Sequence, residues 1–258
     1  MTDDVQPAAV RLAIAGARAT ITFDNPAKRN AFDGPMTASL RDAARAVAAD
    51  RGVRVVVLEG AGGTFSAGGD FDAMTAAPDI LSSVGAIDAL LDEAIAALAA
   101  IDVPVVAAIR GACMGGGVQL ALMADLRIAA DDARFAIPAV ALGLVYPLDA
   151  IAKMVALAGP AATKRIFLAG ETLDAAEALR LGLVDEVVAG GALGPRVDAL
   201  AAKIAAAPPE TAALYKRLIG SLAAGEPPAA WEVARQAANR SPVLVEKLRA
   251  IKAKRGSR

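Results

Sequence analysis

Thr64-Phe65-Ser66-Ala67-Gly68-Gly69-Asp70-Phe71 and Gly111-Ala112-Cys113-Met114-Gly115-Gly116-Gly117-Val118-Gln119-Leu120 decide how this chain is read. Each follows an apolar run: Val53-Arg54-Val55-Val56-Val57-Leu58 before the first, and Val103-Pro104-Val105-Val106-Ala107-Ala108-Ile109 before the second. Continuous β-branched runs predict strands buried on both faces. Each glycine stretch then opens into a helical pattern. Glycine permits unusual backbone angles and lets a ligand approach the main chain. Two such turns side by side can aim two backbone N–H groups at one oxygen, which suits a carbonyl that becomes an enolate or a tetrahedral adduct. The two strand–loop–helix units stand about fifty residues apart, a weak internal repeat that would place equivalent loops together.

Outward from these loops, the rest of the chain reads as strands and helices. Val10–Ile14 and Arg18–Phe23 predict a β-hairpin around Ala15-Gly16-Ala17. Asp33 to Ala49 has helical spacing, with Asp33 as N-cap, Pro35 in the first turn, and Met36, Leu40 and Val47 in the core. Ala73–Ser83 is small, polar and proline-containing, and reads as a mobile lid. Ile87–Ala100 and Gly116–Met123 predict helices, Leu126–Ala130 and Arg134–Ile137 short strands. Pro147–Ala158, Ala161–Leu168 and Ala175–Leu181 predict helices, and Leu183–Val188 a last strand. Gly190 to Pro195 is the best linker candidate, followed by helices over Val197–Ala207, Glu210–Leu222, Ala229–Asn239 and Val243–Lys254.

Composition narrows the chemistry. The chain has 258 residues, 56% of them hydrophobic, so one large or two small domains can bury a sizeable core. A net charge of −1 makes no electrostatic case for nucleic acid or an anionic membrane, and the basic tail from Lys247 reads as a solvated helix end. Cys113 is the only cysteine, which excludes an intrachain disulfide and fits a reducing cytoplasm. The acidic opening Met1-Thr2-Asp3-Asp4 has no apolar core behind it, so no signal peptide is expected. The longest uncharged runs fall short of the roughly 20 residues a membrane span needs. With no histidine, Ser-His-Asp and Cys-His centres and His-based metal sites are excluded within this chain, and no metal site is expected.

The residues also carry a family resemblance. Ser66-Ala67-Gly68-Gly69-Asp70 resembles the first signature of the crotonase superfamily, the enoyl-CoA hydratases and isomerases. Gly115-Gly116-Gly117 with Leu120 and Asp125 resembles the second; Asn25 to Phe32 is similar to the opening motif, and Leu181-Gly182-Leu183-Val184-Asp185 to the late one. Four motifs in order, from about Ile21 to Val188, say more than one glycine loop would. The resemblance implies an α/β fold, a crotonase-like (ClpP/crotonase) spiral of repeated ββα units over residues 1–192. It also implies a helical C-terminal region, 193–258, that assembles trimers or hexamers. The expected substrate is an acyl-CoA thioester, with coenzyme A as part of the substrate and no other cofactor.

Site residues follow by alignment with the family. Ala67 and Gly116 match its two oxyanion donors; the alternative is that both loops are merely tight turns. Gly68 and Gly69 would lie close to the adenine or pantetheine of the bound substrate, with Ser66 and Gly115 as further substrate-binding positions. Asp70 could be a base, but a carboxylate opening a helix more often caps it. Lys28, Arg29 and Ala31 fall where the family wraps the CoA nucleotide; the two cations suit phosphate, or form a solvated basic pair. Gln119 and Ala139 occupy the places of the two hydratase glutamates. Hydration needs one group to activate water and one to protonate carbon, and neither residue exchanges a proton at neutral pH. Gln119 could instead hold a water or a substrate oxygen, or pack on its helix face. Tyr146 and Asp149 lie in the loop that reaches the acyl end of the pocket, which faintly resembles that of the methylmalonyl-CoA decarboxylase branch. Tyr146 could equally be a packed aromatic, and Asp149 a helix-start carboxylate. These substitutions leave three expectations open: an isomerase, a decarboxylase that makes its enolate by losing CO₂, or a non-catalytic acyl-CoA-binding protein.

Overall fold

The computed structural model describes residues 9–76 and 78–256; the acidic opening Met1–Asp4 lies outside the described residues. Strands β1 (Ala9–Ala15) and β2 (Arg18–Asp24) form the antiparallel hairpin. Helix α1 (Gly34–Ala49) starts where Asp33 accepts the Met36 N–H at 2.8 Å, and it buries Met36, Leu40 and Val47. Strand β3 (Val55–Gly60) leads through the first glycine loop to helices α2 (Phe71–Thr75) and α3 (Ile80–Ala99). Strands β4 (Val105–Ile109) and β5 (Ala112–Met114) lead through the second to α4 (Gly116–Ala121). Then come β6 (Leu126–Ala130), β7 (Arg134–Ala136), α5 (Leu148–Ala169), β8 (Leu173–Asp174), α6 (Ala175–Arg180), β9 (Glu186–Val188) and α7 (Leu193–Ala205).

The main sheet runs β1-β2-β3-β4-β6-β9 and is parallel from β2 onward. Its central strands are apolar without alternation because both faces are covered. Ile21, Val56, Leu58, Ala107 and Ile109 belong to the core shared with Leu40 of α1 and Leu98 of α3. Val55, Val57, Val106 and Ile128 pack with Leu193, Val197 and Ala201 of α7 on the other side. Phe23 anchors the first core, edge-on to Phe32 at 5.0 Å and to Phe65 at 5.2 Å.

A second sheet, β5-β7-β8, stacks the repeated units. Cys113 pairs with Phe135 in parallel, and Ser66 forms a parallel bridge to Cys113. Ser66, Cys113 and Phe135 are thus equivalent points on successive turns of a spiral, and the loops that follow them become neighbours. The carboxylates of the second and late motifs brace these turns. Asp125 Oδ2 accepts the Val105 N–H at 2.7 Å, and Asp185 Oδ2 accepts the Arg127 N–H at 2.6 Å.

Three expectations need correction. Residues 73–83 are not an irregular lid: α2 ends at Thr75 and α3 already begins at Ile80. Asp79 starts α3 early, accepting from the Ser82 N–H and hydroxyl; Ala77 lies outside the described residues. Gly190–Pro195 is not a linker, because a 3₁₀ turn over Gly190–Ala192 runs straight into α7. The last strand is shorter than Leu183–Val188: β9 spans only Glu186–Val188.

One compact unit runs to Ala205, so it includes α7; a second begins at Ala206. The second holds α8 (Pro209–Ala223), α9 (Glu232–Ala238) and α10 (Pro242–Gly256). Within it the Trp231 indole donates to Ser221 Oγ at 2.6 Å. Among the described residues no helix is long and apolar enough to cross a membrane.

Asn30 shows what the opening motif does. It is fully buried at φ +56°, accepts the Asn25 N–H at 2.8 Å, and donates to the carbonyls of Ala61 and Thr64 at 2.9 and 2.6 Å. Asn30→Ala would orphan all three groups and force alanine into the left-handed region. A stability loss of about 3 kcal/mol is expected, read as a lower denaturant midpoint at unchanged slope.

Candidate active site

The site is made where the turns of the spiral meet. Ser66 N–H donates to the Ala112 carbonyl at 3.0 Å, and Met114 N–H to the Ser66 carbonyl at 2.9 Å, lacing the first glycine loop to the second. On the other side, Phe32 N–H donates to the Gly68 carbonyl at 2.7 Å and Asp70 N–H to the Phe32 carbonyl at 2.9 Å. A parallel bridge of this kind uses the groups flanking Gly69 and leaves the N–H of Gly69 itself facing away from Phe32. The loops approach so closely that a Cβ on Gly117 would stand 2.7 Å from the Ser66 carbonyl oxygen, and one on Gly68 2.8 Å from that of Met114. Gly68, at φ +92°, therefore needs glycine twice over.

Facing this junction is a cavity of about 430 Å³. Its walls are largely apolar, from Phe32, Phe71, Met74, Leu91, Leu144 and Val145 among others. Gly69 and Gly116 line it, and among the described residues their N–H groups have no hydrogen-bond acceptor. They sit at the same offset, three residues beyond the paired positions Ser66 and Cys113. Ala67 does not have the role expected of it. Its N–H donates to the Arg29 carbonyl at 2.9 Å, and it matches Met114 rather than Gly116 in the register of the bridge. The Gly68 N–H is also taken, by Ser66 Oγ at 3.0 Å. Of these N–H groups on the first loop, that of Gly69 is the one left without an acceptor among the described residues.

Several of the expected binding residues hold the loops. The Ser66 hydroxyl donates to the Asn30 carbonyl at 2.8 Å and is fully buried, so Ser66 does not meet a ligand. Ala31 is buried in the same turn. Asp70 caps α2, its Oδ1 accepting the Asp72 and Ala73 N–H groups and its Oδ2 the Lys28 ammonium at 2.7 Å. Burial would raise the Asp70 carboxyl, but Lys28 and the cap N–H groups outweigh it and hold it below the usual carboxylate range. Lys28 is also paired with Asp72 at 3.1 Å, so its charge is spent on acidic neighbours. Arg29 is exposed, and its guanidinium has no partner among the described residues.

Gln119, Ala139 and Tyr146 line the cavity; Asp149 does not. Gln119 is 2% exposed, and its Nε2 is buried with no hydrogen-bond partner among the described residues. Ala139 is equally buried and closes the wall. The Tyr146 hydroxyl comes within 3.2 Å of where a Cβ on Gly115 would stand, and its ring packs edge-on to Phe167 at 5.5 Å. Gly115, at φ +52°, leaves the room this phenol occupies. Asp149 Oδ1 instead accepts the Ala150 N–H at 2.8 Å, in the first turn of α5. It is a helix-start carboxylate. Cys113 is fully buried and burial pushes its thiol up, so it is no nucleophile.

Two lining residues had no sequence signal of function: Asp88 and Asp92 on α3. They read as the polar face of an amphipathic helix. Only the fold shows that Ile87, Asp88, Leu91 and Asp92 share the stripe lining the cavity. Burial, then the charge of Asp92, pushes the Asp88 carboxyl up.

This geometry has known relatives. Residues 14–239 match the family described as enoyl-CoA hydratase/isomerase. The chain is 36% identical over 184 residues to a Mycobacterium leprae protein named "Probable enoyl-CoA hydratase echA8", covering 71% of this chain and 70% of that one. It is 34% identical over 201 residues to the carnitinyl-CoA dehydratase of Citrobacter koseri, covering 77% and 75%. A crystal structure of an enoyl-CoA hydratase/carnithine racemase from Magnetospirillum magneticum superposes with a TM-score of 0.85 at 34% identity, covering 95% of this chain and 92% of that one. The fold is that of the crotonase superfamily. The chain belongs to the enoyl-CoA hydratase/isomerase family, which acts on acyl-CoA thioesters.

The buried phenol yields a prediction. Burial, then the charge of Asp88, pushes Tyr146 up to about 12. Its proton is therefore held across the whole neutral and mildly alkaline range. In an ultraviolet titration of wild type minus Tyr146→Phe, the phenolate difference band should rise only near pH 12; a rise near pH 10 would place the hydroxyl in water.

Proposed function

We propose that the chain is an acyl-CoA enzyme that holds the thioester oxygen between the N–H groups of Gly69 and Gly116 and stabilises an enolate. The observation that carries this reading is that these two donors, on adjacent laced loops, have no acceptor among the described residues and line one cavity. Prepositioned backbone donors in an apolar site cost no reorganisation as charge develops. Arg29 is the cation left for a nucleotide phosphate, since Lys28 is engaged by Asp70 and Asp72.

Paired-glutamate hydration is disfavoured, because Gln119 and Ala139 stand in the cavity wall and neither exchanges a proton at neutral pH. Decarboxylation is disfavoured on charge: no lysine or arginine is among the lining residues, whereas Asp88 and Asp92 are. A malonyl-type carboxylate would meet repulsion there. Proton transfer α to the thioester, as in double-bond isomerisation, is the reaction class best supported. A non-catalytic binder on the same fold would use the same two donors to hold the unreacted carbonyl, and turnover measured together with binding separates the two readings. Assembly into trimers or hexamers through the C-terminal helices belongs to the same proposal. It is supported by exposed apolar side chains such as Ile219, Val233 and Leu248; a monomeric mass by sedimentation at micromolar concentration would refute it.

The hole can be tested at Gly116. A Cβ there would find only ordinary contacts, with Leu91 Cδ2 at 3.8 Å and Gly68 Cα at 3.9 Å. Gly116→Ala keeps the N–H, whereas Gly116→Pro removes it at the first position of α4, where a helix tolerates proline. Exchange of the α-hydrogen of an acyl-CoA in D₂O should fall about 10²–10³-fold more in the proline variant than in the alanine variant. Equal rates would refute the hole.

Hydration provides the second test. Wild-type hydration of crotonyl-CoA should be poor. Gln119→Glu with Ala139→Glu together should raise it more than the two single changes combined, because acid and base act on one transition state. Efficient wild-type hydration, unchanged by Gln119→Ala, would place the catalytic groups elsewhere.

A further inference from the structure

The enolate reading leaves one task unassigned, since Gln119 and Ala139 cannot move a proton and Asp149 lies outside the cavity. We propose that Asp88 of α3 is the proton-transferring group, and that the substrates are uncharged acyl or enoyl thioesters with an acidic α-hydrogen. This inference rests on the thioester oxygen being held by Gly69 and Gly116.

The placement is geometric. Leu91 Cδ2 lies 3.8 Å from where a Cβ on Gly116 would stand, so this face of α3 looks directly at the second donor. Asp88 is three residues before Leu91, about 60° round the helix and about 4.5 Å along its axis. Asp92, next to Leu91, is turned about 100° away from it. Both carboxylates line the cavity, but Asp88 stands nearer the face that looks at Gly116. It is also the one whose charge is felt by the Tyr146 phenol, whose hydroxyl reaches Gly115. A pair of acids alone would be a solvated helix face. The second observation is the Gln119 amide, 2% exposed, in the wall of the same cavity, with Nε2 unpartnered. With the unclaimed N–H groups of Gly69 and Gly116 lining the same cavity, the wall offers donors that only a polar ligand can satisfy.

Asp88 is also the carboxylate with the right availability. Asp70 is fastened by Lys28 and by the start of α2, and Asp149 by the start of α5. Asp88 makes no hydrogen bond or ion pair among the described residues. Its carboxyl is pushed up by burial and by Asp92, toward the range in which a carboxylate is a better base. The step balances without a cofactor. A carboxylate oxygen bonds to the α-hydrogen, the C–H pair becomes the C=C of the enolate, and the carbonyl π pair moves onto the thioester oxygen. Return of the proton to the α-carbon exchanges hydrogen with solvent. In a 3-enoyl thioester, its delivery to the γ-carbon moves the double bond into conjugation, with no atom gained or lost.

The experiment follows deuterium incorporation into butanoyl-CoA and trans-3-hexenoyl-CoA in D₂O by NMR, with thioester binding measured separately by calorimetry. Asp88→Asn should lower exchange and double-bond migration by about 10²-fold or more while changing the dissociation constant less than about threefold. Asp88→Glu, which restores a carboxylate one carbon further out, should recover part of the rate and shows that loss in the asparagine variant is not misfolding. Asp149→Asn should match wild type. Asp88→Asn turning over at the wild-type rate would overturn the assignment while leaving the hole intact. So would wild type that binds both thioesters but exchanges neither. So, too, would a variant impaired only toward a thioester with a trimethylammonium end, which would make Asp88 a cation receptor. Wild type that binds no thioester would refute the enolate reading itself, and this inference with it.

Discussion

The backbone pairing of Ser66 with Cys113 is the constraint on which the site depends. Two hydrogen bonds, at 3.0 and 2.9 Å, bring consecutive turns of the spiral into register. Buried N–H and C=O groups must be paired, so the lacing consumes the main chain of both loops in order. Ser66, Ala67, Gly68, Asp70, Met114 and Gly115 all donate to protein acceptors. Gly69 and Gly116 are left over because they stand at the same distance beyond the pairing. Unused donors here are a consequence of register, not of any particular side chain. The requirement falls instead on side-chain absence: the close approach has no room for a Cβ on Gly68 or Gly117.

A site built from main chain has a functional consequence. The two N–H groups survive any side-chain change that keeps the loops laced, so the proposed enolate stabilisation would persist while the proton-moving groups are exchanged. Gln119 and Ala139 illustrate this freedom, since both stand in the wall without titrating. Family membership therefore constrains the class of substrate more tightly than it constrains the reaction.

The carboxylates around the site separate by environment. Asp70 is held ionised and immobile by Lys28 and by the N–H groups at the start of α2, and it stabilises the loop. Asp125 and Asp185 tie strand starts together through backbone N–H groups. Asp88 shares the chemistry of these residues but not their partners, and burial, then a neighbouring carboxylate, pushes it the opposite way from Asp70. A group with no structural bond to lose is free to exchange its proton. Tyr146, held protonated by burial, supplies a hydroxyl beside the second loop rather than a charge.

Much of this was legible in the linear sequence. Local signals placed the hairpin, the Asp33-capped α1, the buried strands β3 and β4, and the two glycine loops, because turns, caps and uninterrupted apolar runs are short-range properties. The absence of histidine excludes Ser-His-Asp and Cys-His chemistry within the chain from the sequence alone. What the sequence could not express was the pairing between loops some fifty residues apart. The family motif points to Ala67 as the first donor, yet the N–H left unclaimed is that of Gly69, because which N–H stays free depends on the register of a non-local ladder. Asp149 looked like a site residue from its loop, yet its carboxylate turns back onto its own helix. Asp88 looked like ordinary helix surface, and it faces the cavity only because α3 packs across Gly116. The sequence by itself determined the family, the strands and the chemistry that is missing. The tertiary structure alone decided which main-chain donors stay unclaimed and which carboxylates line the same cavity, since both follow from contacts between segments distant in the chain.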